Sequence, residues 1–204
     1  MDASQPSHTA QGAAMHRAAH QLVDRPPVFQ DPLALSIIGS EAEAQLRAGE
    51  DWHAQPSNGL RAFVAARSRL AEDLLGEAVV QGVAQYVVLG AGLDTFAYRA
   101  GTKFPALKVF EVDHPATQGW KRARLSQTRI AVPDTVAYVA VDFERDTLAN
   151  GLGQSGFDFG QPVFCAWLGV TPYLSRDTVS RTLSAFAQDM HSASIIVFDW
   201  CMCT

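Results

Sequence analysis

Four clusters of residues carry groups that can hold a nucleoside and a charged tail attached to it. Gly90-Ala91-Gly92 closes a short apolar run, Tyr86-Val87-Val88-Leu89, and Asp94 follows it. Asp113 comes about 20 residues after the glycines, the spacing at which a carboxylate accepts from ribose hydroxyls in nucleotide-binding α/β folds. Asp142-Phe143 ends another apolar run. A carboxylate there can accept from an adenine amino group while the ring covers the base. Arg67 falls on the apolar stripe of a helix, and a guanidinium on an inward face must meet an anion or reach back to solvent. Its partner is either a ligand carboxylate or a buried acid, Asp94 being one choice. Each feature alone has a plainer reading, a glycine turn or an aspartate that caps a turn or helix. Two strand-terminal aspartates after Gly-x-Gly favour an adenosine-type ligand.

The surrounding chain supplies the elements that must place these groups. The run before Gly90 reads as a strand buried on both faces of a parallel sheet. Further strands are expected over 107–112, 136–141, 162–168 and 195–198, separated by helical segments. Such alternation implies a doubly wound, mostly parallel Rossmann-like sheet with right-handed crossovers. Its ligands bind outside the carboxyl ends of the strands. Upstream, residues 10–23 form an alanine-rich helix after a frayed tail, ended at Asp24-Arg25-Pro26-Pro27 because proline disfavours helix before it. Asp31 and Pro32 restart the helix as cap and first residue, and Ser40-Glu41-Ala42-Glu43 reads as a capping box. Residues 60–75 form an amphipathic helix with Leu60, Phe63, Val64, Ala71, Leu74 and Leu75 inward and Arg61 and Arg69 off the stripe. Pro115 opens one helix and Ser175 caps another, whose apolar stripe is Val179, Leu183, Phe186 and Met190; 151–160 reads as a loop. The expected organisation is a single domain, 1–204, with 1–59 a helical lid or extension and 60–204 the sheet core.

Composition narrows the classes of function. The formal charge of −5 opposes nonspecific nucleic-acid binding, which needs a basic face to displace counterions. No apolar run approaches the roughly 20 residues of a membrane span, and the polar first residues lack a secretory core, so a cytoplasmic protein is expected. Cys165, Cys201 and Cys203 give no even disulfide framework and no familiar zinc spacing. Neither a metal nor a structural disulfide is expected.

The dinucleotide fingerprint needs a third glycine three residues after the second, and that position holds Thr95. Only a short helix, 96–99, follows. Asp94 would repel a phosphate but accept from an amino group. A nicotinamide-dependent oxidoreductase is therefore disfavoured against an adenosine ligand that carries an amino acid, with S-adenosylmethionine the candidate.

At this point the residues resemble a known family. Val88-Leu89-Gly90-Ala91-Gly92-Leu93-Asp94-Thr95 and Phe110-Glu111-Val112-Asp113-His114-Pro115 with Lys121-Arg122 are similar to motifs of the leucine carboxyl methyltransferase-like family of S-adenosylmethionine-dependent methyltransferases. So are Val141-Asp142-Phe143, Gly169-Val170 with Tyr173-Leu174, Phe29-Gln30-Asp31-Pro32-Leu33-Ala34 and Ala66-Arg67-Ser68-Arg69, a likeness that runs from about Ala14 to Trp200. The resemblance implies that Arg67 holds the methionine carboxylate and that Gly90, Ala91 and Gly92 pass under the methionyl part, near Asp94. It places Asp113 at the ribose and Asp142 and Phe143 at the adenine. It further implies an O-methyltransferase acting on a carboxyl or hydroxyl group of a small molecule or protein terminus, with Tyr173 in the acceptor pocket. His114 is a general base only if its ring faces the cleft; otherwise it serves helix entry, and the catalytic residue is unassigned. Two departures stand out: Leu168 replaces an acid found in many relatives, and family members continue beyond their fifth strand. The resemblance thus leads to the expectation of a truncated copy with an exposed fifth strand and an incomplete acceptor pocket, or a noncatalytic cofactor-binding remnant.

Overall fold

A computed structural model describes residues 7–49 and 58–200. The apolar runs become β1 (Gln85–Leu89), β2 (Lys108–Asp113), β3 (Val136–Ala140), β4 (Val163–Trp167) and β5 (Ile195–Phe198). They pair in the order β3-β2-β1-β4-β5, every pair parallel. β1 is central and buried along its whole length, so both faces of its pleat must be apolar. Val87 and Leu89 join Phe110, Val112, Cys165 and Trp167 in one core. Tyr86 and Val88 join Val109, Phe164 and Ala166 in the other.

Helices cover both faces, as a doubly wound sheet requires. The first core is closed by α7 (Leu148–Gly153) and α8 (Arg176–Asp189), the second by α4 (Asn58–Val80) and α5 (Phe96–Arg99). Ser175 caps α8, its Oγ accepting from Thr178 N. β5 is an outer strand of the described sheet, with Ile195 and Phe198 about two-fifths exposed. Before the sheet, α1 (His8–Val23), α2 (Ala34–Ile38) and α3 (Ser40–Arg47) pack with α6 (Pro115–Gln127) through Ala14, Ala18, Ile37, Ile38 and Leu125.

Several local expectations need correction. The inward face of α4 holds Arg61, Val64, Ala65, Ala71, Leu75 and Ala78, whereas Leu60 and Phe63 are about half exposed. The helix is rotated from its most apolar orientation because Arg61 makes a two-pronged pair with Asp24, at 2.9 and 3.0 Å, and small residues let α1 approach. That pair holds the Asp24 carboxyl below its usual range. Residues 148–153 form α7, so the first three residues of the expected loop 151–160 are helical, since Thr147 Oγ1 accepts from Asn150 N and caps the helix. The Ser40 capping box does not form: Gly39, at φ +89°, is the N-cap and Ser40 is already helical. Asp31 caps a preceding turn, accepting from Leu33 N at 3.0 Å, and α2 starts three residues later at Ala34. α1 starts at His8, capped by Ser7 through Ala10 N, so His8 and Thr9 are helical where the tail was expected to be frayed; the tail before residue 7 and the Cys201/Cys203 pair lie outside the described residues.

Candidate functional site

The carboxyl ends of the strands open into a cavity of about 610 Å³, roofed by α1 and flanked by α4. Its size lies within the range usual for small-molecule sites, about 300–1,000 Å³. Arg67, Gly90, Ala91, Gly92, Asp94, Asp113, Asp142, Phe143 and Tyr173 all line it. Tertiary structure thus brings together every site residue expected from the sequence.

The glycine turn is bent toward β2, with Gly90 N and Ala91 N both donating to Val112 O, at 2.8 and 3.1 Å. Gly90 and Gly92 have φ of +64° and +45°, where a Cβ is disfavoured. Space is closed too: a Cβ on Gly90 would overlap Val170, and one on Gly92 would lie 2.9 Å from Ala10 Cβ. The glycines are therefore required by the β4 loop above and by α1, whether or not a ligand passes. Asp113 then ties turn to strand, its Oδ2 accepting from Gly92 N at 2.5 Å and its Oδ1 from His114 N at 2.7 Å. Burial raises its carboxyl above the ordinary value, against the lowering effect of those two N–H groups.

Asp94 caps α5 through Phe96 N at 2.8 Å, and Asp142 caps its own turn through Glu144 N at 3.0 Å. Each does so with one oxygen while bordering the cavity. Phe143 lies against Trp167, ring centroids 6.3 Å apart. Tyr173 is 57% exposed at the cavity mouth, so it does not pack under the helical layer. His114 borders the cavity, but its Nδ1 accepts from Ala116 N at 3.2 Å. The helix-entry role is the one observed; a neutral ring so placed carries its proton on Nε2.

Arg67 is mostly buried, and its partner is Asp199 at 2.5 Å, not Asp94. Asp199, just past β5, was missed although it follows the same strand-terminal pattern as Asp113 and Asp142. Arg17 was also missed. It lies on α1 between Ala14 and Ala18, donates to Asp31 Oδ2 at 2.7 Å and to Leu93 O at 2.5 Å, and lines the cavity. A charged residue flanked by buried alanines at helical spacing was the available signal. Thr95, standing where the fingerprint has glycine, donates to the same Asp31 oxygen at 2.7 Å. The helical layer is thereby fastened to the glycine turn by a buried polar network. Thr95→Val keeps the shape and deletes that donor; it is expected to cost about 1–3 kcal/mol. Thermal melting should fall by roughly 2–10 °C, and an unchanged Tm would remove the network's structural role.

The sequence profile described as leucine carboxyl methyltransferase matches residues 10–187. The chain belongs to the leucine carboxyl methyltransferase family. A Bacillus subtilis (strain 168) member, provisionally named S-adenosyl-L-methionine-dependent methyltransferase YktD, is 30% identical over 98% of this chain and 72% of its own. A similarly named member from Mycobacterium bovis (strain BCG / Pasteur 1173P2) is 35% identical over 85% of this chain and 58% of its own. This chain thus spans somewhat more than half to about three-quarters of the length of these relatives. A crystal structure from Thermobifida fusca YX, provisionally described as a methyltransferase, superposes with a TM-score of 0.58 at 21% identity, over 97% of this chain and 67% of its own. That likeness shows the methyltransferase fold. Among the described residues of this family member, no helix is long and apolar enough to cross a membrane.

Proposed function

We propose that this chain binds S-adenosylmethionine in the strand-end cavity and transfers its methyl group to a carboxyl or hydroxyl oxygen. The observation that carries the reading is convergence: a cation on α4, a carboxylate at the end of β2 and an acid-aromatic pair after β3 border one cavity. When bound, S-adenosylmethionine supplies an electrophilic methyl group on a sulfonium. Arg67 would hold the carboxylate of the amino-acid tail with the donors that Asp199 leaves unused. Asp94 would accept from the amino group with the oxygen not used to cap α5. Asp113 would accept from the ribose, its orientation set beforehand by Gly92 and His114 N–H groups. Asp142 and Phe143 would meet the adenine. Methyl transfer needs an oxygen in line with the methyl group, so positioning can supply much of the rate. A carboxylate acceptor needs no base, and the helix-entry role of His114, whose Nδ1 accepts from Ala116 N, supports that branch over a hydroxyl acceptor. Tyr173, exposed at the mouth, would meet the acceptor.

Calorimetric titration with S-adenosylmethionine, S-adenosylhomocysteine and NAD tests the cofactor, and tighter NAD binding would reverse the choice. Labelled methyl transfer to carboxylic acids, phenols, alcohols and peptide carboxyl termini tests the acceptor. Binding with no transfer to any of them would leave a cofactor-binding protein and remove the catalytic half of the reading.

A pH dependence follows from Asp113. Ribose hydroxyls need the ionised carboxylate, whose folded-state pKa burial raises. Affinity for S-adenosylhomocysteine should be level near neutrality and decline on acidification, by up to about tenfold per pH unit, from above the ordinary aspartate range. In the free protein the sign is opposite, because ionised Asp113 disfavours the folded state and acid relieves this. Asp113→Asn should flatten the binding profile; a profile unaltered by that change would assign the titration elsewhere.

A further inference from the structure

We infer that Asp199 is a positioning residue for Arg67, fixing the guanidinium so that its remaining donors are ready for the carboxylate tail of a bound ligand. The inference rests on reading the cavity as an S-adenosylmethionine site. Asp199 follows β5 and uses three acceptors: Oδ2 takes Arg67 Nη1 at 2.5 Å, Oδ1 takes Gly169 N at 2.7 Å, and its carbonyl takes Thr171 Oγ1 at 2.6 Å. Asp199 thus links an outer strand of the described sheet, the loop after β4 and the long helix α4. Both side chains of the pair are mostly buried, at 14% and 12% exposed. Gly169, at φ +71°, lets the guanidinium lie against the backbone, where a Cβ would come within 2.5 Å of Nη2 and 2.8 Å of Nη1. Phe63 adds a face contact, with Arg67 Cζ 5.4 Å from its ring centroid.

The contacts fix one edge of a planar group that has five N–H donors. Among the described residues, Nε and Nη2 make no hydrogen bond, and Arg67 borders the cavity. One carboxylate oxygen of Asp199 is committed to Gly169, so the aspartate holds Arg67 by a single nitrogen and need not be displaced by a ligand. An arginine without such a partner carries rotamer entropy that the ligand must remove. Ordering it in advance is expected to be worth about tenfold in affinity.

Two ligands separate this role from a merely structural one. S-adenosylhomocysteine has the amino-acid tail, and methylthioadenosine has the same adenosine without it. Asp199→Asn keeps an oxygen for Gly169 N but loses the charge facing Arg67. It should weaken S-adenosylhomocysteine about tenfold, leave methylthioadenosine within about twofold, and add nothing in an Arg67→Met background. Arg67→Lys, which keeps the charge but not the fork, should also weaken only the tailed ligand. Unchanged or tighter S-adenosylhomocysteine binding by Asp199→Asn overturns the inference, as does an equal loss for both ligands or the same loss without Arg67. Failure of the wild-type chain to bind either ligand overturns the reading of the cavity itself.

Discussion

Asp113→Asn should weaken S-adenosylhomocysteine and methylthioadenosine alike, by about a hundredfold or more, while the protein stays folded. The carboxylate already accepts from Gly92 N and His114 N, so its orientation is set before any ligand arrives. Hydrogen bonds to a charged acceptor contribute about 1.5–3 kcal/mol each, and two ribose hydroxyls would lose their charged partner together. With 1.4 kcal/mol per tenfold, a hundredfold is the low end of that sum. Asparagine retains one acceptor oxygen and can keep one backbone contact, so melting should change less than binding. Parallel calorimetry and melting of both proteins decide the matter. Affinity within about threefold of wild type would remove Asp113 from the ribose. The equal loss of both adenosine ligands also distinguishes this site from Arg67 and Asp199, whose effects should be confined to the tailed one.

Gly90→Ala should destabilise the chain by about 2–5 kcal/mol, the sum of a left-handed backbone bearing a Cβ, about 1–2 kcal/mol, and overpacking, about 1–3 kcal/mol. The backbone there is at φ +64°, and the new methyl group would press on both Val170 methyls, the second at 3.3 Å. For a chain of this size Tm should fall by roughly 5–15 °C. Val170→Ala in the same chain removes the two nearest atoms, both Val170 methyls, and keeps Val170 Cβ at 3.4 Å. The double variant should therefore melt above Gly90→Ala but below wild type, because the backbone term stays. If adding Val170→Ala brings no recovery, the steric half of this account fails. The prediction also separates two reasons for glycine that the sequence merges. One is close approach of a ligand; the other is close approach of the β4 loop, and only the second is visible in the packing.

Much of the sheet was legible because the inner strands β1 and β4 are buried along their whole length and read as unbroken apolar runs, and because the strands end close to Gly or Asp. Parallel order followed from alternation with helices, which placed β3 beside β2 and so Asp142 beside Asp113. The orientation of α4 was not legible from hydrophobicity. Arg61 is buried because Asp24, 37 positions away, neutralises it, while Phe63 is left half exposed beside Arg67. Likewise α7 was hidden among glycines, its cap on Thr147 carrying more weight than weak helix propensity.

Local pattern along the chain specifies the residues at the strand ends, their order and the family whose motifs they match. Each of these depends on local pattern: which run is apolar, where it stops, and what the next residue can accept or donate. The partners were settled by packing in three dimensions. It chose Asp199 over Asp94 for Arg67, joined Arg17 and Thr95 on Asp31, and set Val170 against Gly90. A buried charge or a crowded glycine is satisfied by whatever group lies nearest in space. In a sheet whose central strand is neighboured by later ones, that group sits far along the chain.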